Sequence, residues 1–215
     1  MPVRYIDIHT HQSAHEKEAL SVLNRYGNFD RPEGDPYCSM GLHPWYLTDL
    51  AQQLISLKQY SQHPEVLAIG ECGLDALCNT PQSLQEEAFR QQIAWANELQ
   101  KPLIIHCVRA YHKTLELLRK ATVPVIFHGF NRKASLATTL LEQGYHLSFG
   151  KALLNALGGL QVTFAGIPGD RFFLETDDAP MSIGEVYKTA ARIRKTEEDV
   201  LILQLQNNFK TVFGI

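Results

Sequence analysis

His9-Thr10-His11 is the first place in the sequence where chemistry is concentrated: two imidazoles two positions apart, closing the run Tyr5-Ile6-Asp7-Ile8. In an extended strand alternate side chains share a face, so Asp7, His9 and His11 point one way and Ile6, Ile8 and Thr10 the other. Polar groups on a strand's inner face are costly unless something satisfies them. A divalent metal held by both imidazoles would do so, with Asp7 one layer deeper as acceptor for an imidazole N–H. Two partly exposed histidines at a strand end are the plainer reading of the same triplet.

Later apolar runs close on polar residues in the same way. His43 follows Tyr37-Cys38-Ser39-Met40-Gly41-Leu42, and Glu71 ends Val66-Leu67-Ala68-Ile69-Gly70. His106 ends Pro102-Leu103-Ile104-Ile105, His128 ends Pro124-Val125-Ile126-Phe127, and Asp177 ends Arg171-Phe172-Phe173-Leu174-Glu175-Thr176. Four imidazoles (His9, His11, His106, His128) and two carboxylates (Glu71, Asp177) are enough for two divalent ions with open positions for water and substrate. A single ion is the smaller alternative and leaves some of these groups in need of other partners. Each residue also has a structural reading: His128 as a satisfied core histidine, Glu71 as a cap on its loop.

The elements that must carry these residues are strands alternating with helices. Thr48 with Asp49 opens a helix to about Ser61, and Ser83-Leu84-Gln85-Glu86 reads as a capping box for a helix to about Gln100. Further helices run near Lys113 to Lys120 and up to Gly144, and two more start at Ser182–Glu185 and Thr196–Asp199. The sequence thus predicts an α/β fold with seven clear strands, the eighth short or missing, in a single domain over residues 1–215. Strands buried on both faces favour a parallel sheet. A doubly wound open sheet fits the alternation but lacks a Gly-rich phosphate turn after the first strand. Polar residues gathered at the carboxyl ends of strands favour a distorted TIM (β/α) barrel, whose chemistry sits on that face.

The formal net charge of −3 predicts no strong global attraction to nucleic acid, so any polyanion must be met by a local basic patch. No apolar run is long enough to span a membrane and no apolar leader opens the chain, which leads to the expectation of a soluble cytoplasmic protein, a monomer or weak oligomer. The four cysteines, Cys38, Cys72, Cys78 and Cys107, form no C-x-x-C pair, so structural disulfides are not expected. Cys72 and Cys107 each follow a metal-set residue and should point away from the site as small buried side chains.

Taken together, Asp7-Ile8-His9-Thr10-His11, Gly41-Leu42-His43-Pro44, Gly70-Glu71-Cys72-Gly73-Leu74-Asp75, Ile105-His106-Cys107, Phe127-His128-Gly129-Phe130 and Glu175-Thr176-Asp177 resemble, in order, the motifs of the TatD family of metal-dependent hydrolases. Gln85, Phe89 and Gln92, and the closing Asn208-Phe209-Lys210-Thr211-Val212-Phe213-Gly214, extend the resemblance over nearly the whole chain. It implies a distorted TIM barrel, a two-metal centre and deoxyribonuclease activity. Carried over by motif, His9, His11 and Asp177 hold one ion, His106 and His128 the other, and Glu71 bridges them. Two positions depart from the pattern. Val108 stands where the family often has an arginine, with Arg109 one residue later, and Trp45 stands where a second histidine often follows His43.

On this reading Glu71 and Asp177 are the catalytic carboxylates, and a metal-activated water cleaves a phosphodiester of DNA or a similar substrate. Asp177 is a proton acceptor as well as a ligand, with Glu175 behind it. His43, Arg109 and Arg132 are the expected substrate contacts, with Lys133 and Lys151 completing a cationic rim and Trp45 and Tyr46 placed to stack on a base. The cofactors are two divalent ions, Mg, Mn or Zn: oxygen-rich sites suit magnesium and imidazole-rich sites the transition metals. An amidohydrolase or deacylase acting on a small amide or ester is the alternative.

Overall fold

The structure, a computed structural model, describes residues 4–12, 18–26, 29, 37–154 and 159–215. Within them strands and helices follow in the order β1 (Tyr5–Thr10), β2 (Ala19–Tyr26), β3 (Cys38–Gly41), α1 (Leu50–Tyr60), β4 (Val66–Asp75), α2 (Gln82–Leu99), β5 (Leu103–Val108) and α3 (Tyr111–Leu118). β6 (Val125–Phe127), α4 (Ala134–Glu142), β7 (His146–Phe149), α5 (Gly159–Ala165), β8 (Phe172–Leu174), α6 (Ile183–Arg194) and α7 (Glu198–Phe213) complete the chain. The strands lie in one sheet in sequence order, and past β8 Asp177 makes a parallel bridge with Thr10 of β1. A parallel sheet whose last strand returns to its first has the connectivity of a (β/α) barrel.

The sequence expectation is one strand short. The unforeseen strand is β2, Ala-Leu-Ser-Val-Leu-Asn-Arg-Tyr, whose apolar residues Leu20, Val22 and Leu23 break strict alternation and follow the charged run Glu16-Lys17-Glu18. Neither a period of two nor one of 3.6 stands out there. The polar, Gly- and Pro-containing sequence from Asn24 to Pro36 begins inside this strand, and most of its remainder lies outside the described residues.

By contact the chain divides into two compact units, residues 1–23 with 127–215 and residues 24–126. In the first, Phe149, Phe164, Phe172, Phe173 and Tyr187 are fully buried, each contributing roughly 1.5–3 kcal/mol by burial. α6 opens at the expected Ser182–Glu185 start, and there the two residues form a capping box, Ser182 accepting from the Glu185 N–H at 3.2 Å while Glu185 accepts from the Ser182 N–H at 3.1 Å. It buries Tyr187 against β1, where the phenol donates to the Ile6 carbonyl and accepts the Ile6 N–H, both at 3.1 Å. One hydroxyl thus satisfies a backbone donor and acceptor just below the strand end that carries His9.

In the second unit α2 buries Gln85, Ala88, Phe89, Gln92, Ile93 and Ala96, the i, i+3, i+4, i+7 stripe of a helix face. The helix starts at Gln82 behind Pro81, not at a Ser83 cap, because proline's fixed φ suits a helix entry. α1 is capped by Asp49 rather than Thr48, the carboxylate accepting the Gln52 N–H at 3.1 Å. The two buried glutamines on α2 each hold a strand end by its backbone. Gln92 accepts the Leu42 N–H at 2.7 Å and donates to the Leu42 carbonyl at 3.1 Å, and Gln85 does the same for Asp75 at 2.8 and 3.1 Å. These clamps fix the segments that present His43 and Asp75.

Candidate metal centre

In the unit of residues 1–23 and 127–215, a backbone joint gathers the ligating side chains. Asp177 donates its N–H to the His9 carbonyl at 3.0 Å and accepts the His11 N–H on its own carbonyl at 2.9 Å. These two bonds hold Asp177 at φ 54°, a left-handed conformation uncommon outside glycine. Its Oδ1 then lies 3.6 Å from His9 Nε2 and 3.5 Å from His11 Nε2. The His128 ring centroid is 4.4 Å from that of His9, and one ligand atom from each of His9, His128 and Asp177 lies within 4.8 Å of the others. Glu175 accepts the Gly129 N–H at 2.6 Å and sits 3.6 Å from His128 Nδ1, so it steadies the segment that carries that ring.

Asp7 does something other than orient an imidazole. It accepts the Thr176 N–H at 3.1 Å and the Thr176 hydroxyl at 2.7 Å, and that hydroxyl also meets Thr10 Oγ1 at 2.8 Å. Asp7 and Thr10 therefore converge on one partner, although strict alternation puts them on opposite faces. The β1–β2 register shifts between these two residues, and a bulge resets which way side chains point. Burial raises the Asp7 carboxyl to about 7, against the bonds from Thr176 that favour its charged form.

The second unit builds its group on a single register. Gly73 of β4 pairs with His106 of β5, and Glu71 and Asp75, two residues either side of Gly73, share its face. The imidazole stands between two buried carboxylates, Nδ1 at 2.7 Å from Glu71 Oε1 and Nε2 at 3.1 Å from Asp75 Oδ2. Gly73, at φ 141°, must be glycine because a Cβ would run into the His106 carbonyl. Asn24 fixes Glu71 from both ends, donating to Oε2 at 3.1 Å and accepting the Glu71 N–H at 3.0 Å.

The donors of this group suit a cation. Burial alone would raise the Asp75 carboxyl, but hydrogen bonds from the Trp45 indole, His106 and the Leu77 N–H hold it below the ordinary carboxylate range. The His106 ring is flanked on both nitrogens, with Nδ1 2.7 Å from Glu71 Oε1 and Nε2 3.1 Å from Asp75 Oδ2, and its proton is shared out by the tautomer it adopts. Imidazole with carboxylate is a donor set that divalent ions take. His43 lies within the same 4.8 Å group. Its Nδ1, however, accepts the Trp45 N–H at 3.1 Å, which puts the ring proton on Nε2, 3.4 Å from Glu71 Oε1. In that tautomer His43 is a donor and not a metal ligand.

The family model described as TatD related DNase matches residues 23–214. The chain belongs to the TatD family. It is 36% identical over 148 residues to the uncharacterized metal-dependent hydrolase YabD of Bacillus subtilis, an alignment spanning 66% of this chain and 58% of YabD. It is 26% identical over 225 residues to the 3'-5' ssDNA/RNA exonuclease TatD of Erwinia amylovora, spanning 93% of this chain and 84% of that protein. The solved structure of the TatD homologue YJJV from Escherichia coli matches it over 100% of both chains, with a TM-score of 0.84 at 21% identity. That likeness establishes the distorted TIM barrel expected from the strand ends.

In this TatD chain the expected residues fall into two groups: His9, His11, His128 and Asp177 in one unit, Glu71 and His106 in the other. His128 sits beside His9, whereas the resemblance pairs it with His106. Arg109, at φ 52° just past β5, and Arg132 are exposed, and neither has an ion-pair partner among the described residues. Lys151 is engaged by Asp178 at 2.6 Å, which takes it off the list of free cations. Cys72 is fully buried as expected, whereas Cys107 is only half-buried, its Sγ 3.4 Å from Thr114 Oγ1. Among the described residues no helix is long and apolar enough to cross a membrane. The sequence reading assigned no role to Asn24, or to Asp75 although Asp75 stands in a quoted motif. Two carboxylates four apart on one strand were the available signal for Asp75, since they share a face.

Proposed function

We propose that this TatD family hydrolase cleaves phosphodiester bonds of single-stranded DNA with two divalent ions. The observation that carries the reading is the His106–Glu71 pair, an imidazole and a buried carboxylate 2.7 Å apart with Asp75 on the other ring nitrogen. His9, His11, His128 and Asp177 form the other ligand set, with His128 assigned there by its proximity to His9. The bridging role of Glu71 rests on the family resemblance, and the placing of His128 departs from it. Ions bound there supply Lewis acidity at a phosphoryl oxygen and acidify water.

The chain's own residues do the rest. Asp177 accepts the proton of the attacking water, its carboxylate being held at the site by the backbone joint to His9 and His11. His43 presents Nε2–H on the Glu71 side, where it can donate to a substrate oxygen. Arg109 and Arg132 stand ready for phosphates, which suits a chain whose net charge of −3 offers no general attraction to DNA. The Erwinia amylovora relative, a 3'-5' ssDNA/RNA exonuclease, supports a single-stranded substrate. The test is turnover by protein stripped with chelator and reloaded with Mg, Mn or Zn singly, on single-stranded DNA, a generic phosphodiester and small esters and amides. Robust ester or amide turnover with no phosphodiester cleavage would select the amidohydrolase or deacylase reading instead.

A further inference from the structure

Trp45 combines two properties that seldom occur together. Its side chain is 54% exposed, yet its indole N–H donates at 2.6 Å to Asp75, a residue only 2% exposed. The ring is thus anchored by its edge while a face is left to solvent. It stands at 90° to the His43 ring with centroids 5.2 Å apart, and at 78° to the His106 ring at 6.1 Å. Beside it Tyr26 and Tyr46 are stacked within 10° of parallel at 4.9 Å, 39% and 44% exposed, and Tyr46 lies 5.4 Å from His43. Helix-layer packing does not explain a tryptophan and two tyrosines on the surface around a buried histidine pair.

We propose that Trp45 is the stacking wall of a nucleobase subsite beside His106, continued by the Tyr26–Tyr46 pair. The inference rests on the nuclease reading above and names what its substrate must carry: bases whose faces are free, as in a single strand. An aromatic face accepts any base, so the subsite binds without sequence preference. Asp75 ties the two functions together, because the carboxylate that orients the indole also holds His106 Nε2. A base seated on Trp45 is therefore two hydrogen bonds, through Asp75, from His106, and the ring needs no reordering to receive it.

Tryptophan emission reads this directly. The chain has two tryptophans, and Trp95 is buried with its N–H on Ser61 Oγ, so a strand contacting the surface alters the signal of Trp45. The full-length, metal-loaded protein is titrated with a short phosphorothioate oligodeoxyadenylate, and separately with an abasic strand of equal length and charge. The base-bearing strand is expected to quench emission and the abasic one to leave it nearly unchanged, with quenching lost in Trp45→Phe. On single-stranded DNA, Trp45→Leu is expected to have a KM roughly tenfold above that of Trp45→Phe, which loses the same indole bond to Asp75 but keeps an aromatic face. Equal quenching by the abasic strand, or an equal KM in Trp45→Leu and Trp45→Phe while wild type cleaves DNA, overturns the inference and leaves the nuclease reading intact. A wild-type protein that neither cleaves DNA nor responds to the base-bearing strand brings down both. The quenching comparison stands on the wild-type protein even where a variant fails to fold.

Discussion

His106 is gripped on both ring nitrogens by carboxylates of one strand, and each carboxylate has a different task. Glu71 faces the side where a cation fits, and Asp75 holds the opposite nitrogen and so orients the ring. Replacing Asp75 by Asn turns that acceptor partly into a donor, and is expected to weaken divalent-ion affinity about 10–100-fold by calorimetry. Unchanged affinity would mean that Asp75 does not orient His106. Glu71→Ala and His128→Ala should each lower bound metal, read by elemental analysis, together with hydrolysis. Full activity in Glu71→Ala would show the binuclear mechanism to be wrong. Most of these residues were legible because each is a polar group ending an apolar run. Asp75 was not assigned, because its partner is set by the pairing of Gly73 with His106, a register between strands some thirty residues apart that sequence spacing does not display. Asp7 was misjudged for a related reason: the register shift in β1 cancels the alternation from which its role was inferred.

The elements hold the site through backbone groups more than through salt bridges. Tyr187 of α6 satisfies both backbone groups of Ile6, and Gln92 of α2 both backbone groups of Leu42. Tyr187→Phe keeps the ring but strands a buried N–H and carbonyl, so a loss of about 1–3 kcal/mol in unfolding free energy is expected from denaturant titration. A variant as stable as wild type would show that the phenol bonds contribute nothing net. Helices with a long apolar stripe, such as α2, were legible from periodicity, and their starts shifted by only a residue or two. β2 was missed because Leu20, Val22 and Leu23 offer no clean period, and Asn24 was lost with it. A residue's chemistry could not be read where the element that aims it had no signature of its own.

For the molecule as a whole, charge and metal content set the remaining expectations. With a net charge of −3, binding to a polyanion depends on a few cations, so the double variant Arg109→Ala/Arg132→Ala should raise KM on single-stranded DNA and flatten its dependence on salt, with little change in kcat. An equal fall in kcat with unchanged KM would place these arginines in the chemical step. A resident ion binds the folded chain and not the unfolded one. Chelation should therefore lower the melting temperature, the loss amounting to about 2.7 kcal/mol where free metal had stood at a hundred times its Kd. The most direct test is the cleavage of single-stranded DNA by chelator-stripped protein titrated with one divalent metal at a time. Activity should be absent in the stripped protein and rise to a plateau at two bound ions per chain. Cleavage by metal-free protein at the reloaded rate, or a plateau at two ions with no DNA cleaved, would contradict the account.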